Sequence, residues 1–232
     1  MPVGNGKSNQ MIQPDLMLEP APSTRKASRE ARRVQLIEAT IETIAVRGFA
    51  RTTLTDVAKQ AGLSHGLVNF HFETKEKLLG ETLRHLYEEY AQNWHQALAK
   101  AAPDAASQLD AMLRADFNDT IGSPQRLAAW CAFWGETQSR PLYQQVCAVD
   151  DELYNQTVVR LCANLITEGG YDLDARRVAR VLRVTSDGIW LELMTMVVPY
   201  SMSEARCTLF TCAAALFPRH FTDQGLIAGP GQ

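Results

Sequence analysis

Two short apolar segments separated by a Gly-Leu pair constrain this chain more than any other feature: Thr53-Leu-Thr-Asp-Val-Ala-Lys-Gln-Ala61 and Ser64-His-Gly-Leu-Val-Asn-Phe-His-Phe72. Helices so short and so close cross at a steep angle, which requires a small side chain at the crossing and a turn residue that tolerates a left-handed backbone. Ala58 and Gly62 supply both. The spacing predicts a helix-turn-helix in which Thr55 caps the first helix, Val57, Ala58 and Ala61 face inward, and Ser64 caps the second. A helix of that size fits a DNA major groove, its N-terminal residues nearest the base edges.

The surrounding chain reads as helical throughout. Ser28 caps an expected first helix in which Val34, Ile37, Ile41 and Ile44 share one face, ending at Gly48. Thr74 caps a long fourth helix, with Glu76 in its first turn and Leu78, Leu79, Leu83, Leu86, Tyr90 and Trp94 as its inward stripe, running to about residue 102. Beyond Pro103 the pattern predicts helices over 106–120, 124–138 (Ser123 as cap, Pro124 at the first position), 141–167, 174–198 and 203–217, with Gly169-Gly170 joining two of them. Only 10 prolines and 14 glycines occur in 232 residues, several of them in the tails, so no strand is expected. The fold class is all-α: an N-terminal three-helix DNA-binding unit joined by a long helix to a C-terminal helical bundle. The expected division is a disordered leader (1–27), a helix-turn-helix domain (28–75), a helical ligand-binding and dimerisation domain (76–220) and a flexible tail (221–232).

Composition narrows the function classes. The longest apolar run, 189–198, contains Glu192 and falls short of the ~20 residues a membrane span needs, and no secretory signal precedes the fold, so a cytoplasmic protein is expected. Five cysteines form no C-x-x-C pair and sit among apolar residues, as buried small hydrophobes do. The net charge of −3 is unevenly spread: residues 1–75 hold ten Lys/Arg against seven Asp/Glu, the remainder thirteen against nineteen. The basic end coincides with the helix-turn-helix. No nucleophile elbow, phosphate loop, H-E-x-x-H or dinucleotide fingerprint occurs, so neither an enzyme nor a cofactor or metal is expected.

The segment from Thr53 to Leu79 resembles the DNA-binding domain of the tetracycline-repressor (TetR) family of regulators. Its pattern is met at Thr53, Val57, Ala58, Ala61, Gly62, Ser64, Gly66, Val68, His71, Phe72, Lys75 and Leu78; Asn69 departs from it, standing where the family usually has Tyr. The resemblance implies that His65, Gly66, Leu67, Asn69 and Phe70 face the groove. Asn69 is chemically able to read adenine, and Leu67 or Phe70 to touch thymine methyls. It also implies that Thr53, Thr55, Ser64, His71 and Lys75 bind phosphates.

Further along, Asp116-Phe-Asn-Asp-Thr120, Ala129-Trp-Cys-Ala-Phe-Trp134, Arg140-Pro-Leu-Tyr143 and Asp187-Gly-Ile-Trp-Leu191 resemble the choline-responsive BetI branch of that family. Trp130 and Trp134 fall on one helix face, and Phe117, Tyr143, Tyr154 and Trp190 can converge on them. Quaternary ammonium ions donate no strong hydrogen bond, so aromatic faces worth about 0.5–2 kcal/mol each hold them beside a carboxylate. Asp116, Asp119, Glu136 and Glu192 are the candidates, Asp119 and Glu136 foremost. Rings at helical spacing also serve as ordinary core, so each ring alone carries both readings.

The last two helices are apolar on more than one face, and the resemblance implies that they form a homodimer's four-helix interface, placing two reading helices on successive major grooves. The expected partners are a palindromic duplex, a small effector and a second copy, with no membrane. An unrelated apolar or aromatic effector, and a helical interaction protein that binds no DNA, remain as alternative readings.

Overall fold

The computed structural model describes residues 24–136 and 140–227. Among these, α1 (Thr24–Arg47), α2 (Leu54–Ala61) and α3 (His65–Phe72) form the N-terminal unit. Then come α4 (Lys75–Lys100), α5 (Ala105–Ala115), α6 (Pro124–Gly135), α7 (Arg140–Gly169), α8 (Ala175–Thr195) and α9 (Met202–Leu216). Two two-residue strands, β1 (Phe221–Thr222) and β2 (Gly225–Leu226), close the described chain as an antiparallel hairpin.

The local chemistry that starts and stops these helices is visible. Ser64, Thr74, Asp104 and Asp174 each accept a hydrogen bond from the backbone N–H three residues on, as N-caps do. Gly62 ends α2 with φ +66°, the left-handed conformation that the turn needs. Ile37, Ile41 and Ile44 of α1 are fully buried with Val57, Val68, Phe72 and Leu78, each such side chain stabilising the unit by about 1.5–3 kcal/mol.

Several boundaries depart from expectation. Thr53, not Thr55, caps α2: its Oγ1 accepts from Asp56 N at 3.1 Å and donates to Asp56 Oδ2 at 2.6 Å. Ser28 is no cap, because α1 is already helical at Thr24, which moves residues 24–27 out of the expected leader; residues 1–23 lie outside the described residues. Val34 is 37% exposed, so the buried stripe of α1 begins at Leu36. Helix α5 stops at Ala115 because Asn118 Oδ1 captures the N–H groups of Thr120 and Ile121 at 3.0 and 2.8 Å, a local turn that competes with the helix. Helix α6 stops at Gly135 and α8 at Thr195; Pro199 disfavours helix in the residue before it.

The tail also holds the strands that the sequence did not suggest. Phe221 is 2% exposed and stacks against Phe210, while Leu226 N donates to Asp110 Oδ1 at 2.9 Å, so the hairpin is pinned onto α5 and α9. Residues 228–232 lie outside the described residues.

The long helix α4 packs on α1, α5 and α7, so it belongs to both the N-terminal unit and the bundle. Helix α6 lies against α1 on one side and α8 on the other. Among the described residues no helix is long and apolar enough to cross a membrane.

Candidate functional site

Helix α3 is anchored by Val68 and Phe72, 0% and 2% exposed, which fixes the side it turns outward. His65, Gly66, Asn69 and Phe70 are exposed on that side, Leu67 and His71 half-buried beside them. Phe70 is 64% exposed, an unusual state for a large apolar ring in a folded chain. Asn69 Nδ2 lies 3.2 Å from His65 Nδ1, so the two polar side chains one turn apart hold each other in place. The Thr53 and Ser64 hydroxyls are engaged as caps, and Thr55 is exposed in the first turn of α2. Lys75 Nζ donates to the Ala50 carbonyl at 2.9 Å, tying α4 to the end of α1.

Sequence reasoning missed Arg29 and Arg33. Arg29 lies over the Phe70 ring at 5.3 Å and Arg33 over Phe72 at 5.8 Å. Burial, then these two cations, lower the His71 pKa from the usual imidazole value. The run of basic residues in α1 was the available signal; its placement beside α3 depends on tertiary packing.

The second constellation lies within the bundle. Trp130 and Trp134 of α6, Tyr143 of α7 and Trp190 of α8 line one chamber, joined by Tyr87 and Tyr90 of α4, Asp151 of α7, and Arg183, Ser186 and Asp187 of α8. Trp134 and Trp190 stack with centroids 6.0 Å apart and planes 12° off parallel, while Tyr90 meets Trp190 edge-on at 5.9 Å. The rings nearly fill their own chamber: its free volume is about 20 Å³, room for one water.

Four expected ligand residues lie elsewhere. Phe117 is fully buried in the turn after α5, and Asp119 is exposed in the same turn, because the early end of α5 takes both off the helix. Glu136 lies past the end of α6 beside Phe49, Ala50 and Lys75, on the side of the N-terminal unit. Tyr154 sits behind the chamber wall, donating to Asp116 at 3.4 Å. Of the two further carboxylate candidates, Glu192 is exposed and accepts from Tyr200, whereas Asp116 is 1% exposed and closes the rear of the chamber. Tyr90 and Ser186 donate to Asp116 at 3.0 and 2.9 Å, and burial pushes its carboxyl up to about 6 despite these bonds.

Two carboxylates face the chamber directly. Asp151 accepts from Tyr87, Tyr143 and Arg183 at 3.3, 3.4 and 3.2 Å, and Asp187 lies 3.8 Å from Arg183 Nε. Burial opposes the charge of Arg183, but Asp151 and Asp187 together hold its pKa above the ordinary guanidinium value. Two carboxylates thus stand against one guanidinium in the lining, with burial raising the Asp187 pKa and Arg183 lowering it.

A family model for the BetI-type transcriptional repressor C-terminal domain matches residues 105–218, and one for bacterial regulatory proteins of the tetR family matches residues 36–82. The HTH-type transcriptional regulator BetI of Burkholderia lata is 35% identical over 167 residues, covering 70% of this chain and 82% of that protein. A transcriptional regulator from Pseudomonas aeruginosa PAO1 superimposes with a TM-score of 0.66 at 30% identity, over 80% of this chain and 88% of its own. A regulator from Saccharomonospora viridis, crystallised in complex with choline, superimposes with a TM-score of 0.64 at 22% identity, over 78% of this chain and 94% of its own.

Proposed function

The chain belongs to the TetR family of regulators, with a BetI-type C-terminal domain, and on that premise we propose that it represses transcription from a palindromic operator and is released by a small quaternary ammonium compound such as choline. The observation that carries the effector class is the chamber: stacked indoles and tyrosines beside two carboxylates and only one guanidinium. Aromatic faces suit a cation that cannot donate hydrogen bonds, and the unmatched carboxylate suits its charge. The choline bound to the Saccharomonospora viridis regulator agrees with this class.

DNA contact falls to the outward side of α3, with His65, Gly66, Leu67, Asn69 and Phe70 in the groove. Thr53, Thr55, Ser64, His71 and Lys75, with Arg29, lie toward the phosphates. The reading unit runs through Lys75, and residues 76–220 sense the effector and pair with a second copy. Val181, Val184, Leu191 and Met194 are exposed along α8, an apolar face that a symmetric partner covers. The dimer then sets two α3 helices about 34–36 Å apart, one turn of DNA. A repressor works where the chromosome is, which places it in the cytoplasm.

Release follows from linkage: a ligand that favours the arrangement with the wrong spacing lowers DNA affinity, and DNA lowers ligand affinity by the same factor. Footprinting on genomic fragments, with and without choline, tests the whole reading. A protected palindrome that choline releases is the expected result; no preferred sequence, or no choline effect, overturns the corresponding half.

A further inference from the structure

Arg183 already sits on the two carboxylates that face the chamber, Asp151 and Asp187. Its guanidinium carbon lies 5.4 Å from the Tyr154 ring centroid, its Nη2 donates to Asp151 at 3.2 Å, and Asn155 Oδ1 accepts from Nη1 at 3.1 Å. The carboxylates that hold this guanidinium are the ones the chamber offers to a quaternary ammonium, and the Tyr154 ring meets Arg183 from behind the chamber wall. The small free volume fits this occupancy, because a site already holding its own cation has little left to fill.

The side chain also has somewhere to go. Arg183 and Asp187 line both the aromatic chamber and a groove of about 750 Å³ on the outer side of α7 and α8. That groove carries Asn155 and the exposed carboxylate Glu152, which lies one turn from Asn155 on α7 and accepts from Gln156 at 2.8 Å. Arg183 is therefore the wall between an inner and an outer compartment.

We propose that the effector binds by cation exchange: a small organic cation takes the place of the Arg183 guanidinium at Asp151 and Asp187, and Arg183 swings into the α7–α8 groove. This deepens the effector reading above and rests on it for the class of ligand. Two consequences follow. The resident cation lowers the apparent affinity by the fraction of time that it occupies the site. The exchange also re-aims a side chain on α8, the helix whose outer face is exposed for a second copy, so occupancy is felt where the two copies meet.

The test turns on the sign of an effect. Removing a residue that merely supports the site weakens binding, whereas removing a competitor strengthens it. Titration calorimetry with choline and with tetramethylammonium is run on the full chain, on Arg183→Met and on Arg183→Gln. Both variants remove the guanidinium and leave the rings and carboxylates of the chamber lining unchanged. The expected result is choline affinity raised about tenfold in Arg183→Met and severalfold in Arg183→Gln, with the neutral isostere 3,3-dimethylbutanol gaining nothing in either. Arg183→Lys, which keeps a cation, stays near the wild type. Should Arg183→Met not fold, Arg183→Gln carries the same sign. Unchanged or weakened choline binding in Arg183→Gln, while the wild type binds choline, overturns the exchange and leaves the effector reading standing. Tetramethylammonium binding by Arg183→Met alone, with no choline binding by the wild type, means a guanidinium that blocks the site without being displaced, which overturns the exchange and removes choline as effector. Binding of neither cation by any form removes both.

Discussion

Arg126 Nη2 lies 3.1 and 3.3 Å from the two carboxylate oxygens of Glu38, 88 positions earlier in the chain, so that a single guanidinium joins α6 to α1. The same group takes Glu89 of α4 through Nε at 2.6 Å and Nη2 at 3.0 Å. Three helices meet on one side chain that is 18% exposed. Further along α6, Phe133 packs edge-on against Phe49 at 5.3 Å, while Trp130 and Trp134 face the chamber. One helix thus carries both the chamber's rings and the contacts to the N-terminal unit.

Arg126→Ala is expected to lower stability by about 1–3 kcal/mol, because it takes the guanidinium from two half-buried carboxylates, of which Glu38 keeps His85. It is also expected to shrink the factor by which choline lowers DNA affinity, with little change in choline affinity measured without DNA. Denaturant melts and binding titrations in the presence and absence of choline measure the two effects separately. An unchanged factor disconnects α6 from the response.

The same junction depends on pH through His85, whose Nε2 lies 3.0 Å from Glu38. The hydrogen bond to Glu38 raises the His85 pKa above 6.5, and the bond from His85 lowers that of Glu38 below 4.5. A raised histidine contributes stability that is fully present below 6.5 and lost as pH rises through its folded value. A lowered glutamate contributes stability present above 4.5 and lost as pH falls through its folded value. The pair is therefore worth most between pH 4.5 and 6.5. The melting-temperature difference between wild type and His85→Gln should be largest in that window and decline above it; a difference that does not vary with pH refutes the assignment.

On the reading helix, two substitutions are expected to fail in different ways. Asn69→Ala is expected to cost about 1–3 kcal/mol of discrimination at one position of the operator. Arg29→Ala weakens binding to all duplexes alike and makes the salt dependence of affinity shallower by about one phosphate contact. Competition with single-position operator variants, and titrations over a range of salt, separate them. Equal losses across all sequences for Asn69→Ala exclude it from base readout.

In the chamber, Trp134 is 38% exposed and Trp190 is 5% exposed with its Nε1 donating to the Asp116 carbonyl at 3.1 Å. Trp134→Ala should therefore cost choline affinity, on the order of tenfold, with a small change in melting temperature. Trp190→Ala should cost about 3–5 kcal/mol of stability in addition. Equal stability losses for both would mean that the stacked pair is core rather than a binding face.

What the sequence disclosed was what depends on neighbours along the chain. Ala58, Gly62 and the caps Ser64 and Thr74 act within one turn, so the helix-turn-helix could be placed to the residue, apart from the exchange of Thr55 for Thr53. The rings Trp130, Trp134, Tyr143 and Trp190 stand out by type. Tyr87 and Tyr90 did not, because they share α4 with a buried apolar stripe and read as core. Arg183 and Asp151 lie 32 positions apart and meet only once α7 and α8 are packed. Phe117, Asp119 and Glu136 were misplaced for a different reason. Each lies just beyond a helix end, where an error of a few residues in the boundary rotates a side chain to another face. The terminal hairpin escaped notice because its anchors, Asp110 and Arg114, are more than a hundred residues away.

The distribution of indoles gives this molecule an optical property. All four tryptophans belong to the bundle: Trp130, Trp134 and Trp190 line the chamber, and Trp94 packs against Tyr154 immediately behind it, while α1, α2 and α3 contain none. Tryptophan emission from the unmodified chain therefore originates around one cavity, and the helices α1, α2 and α3 are dark. A spectral change on adding a small solute reports that cavity; one on adding a duplex reports a signal that has crossed from one end of the protein to the other.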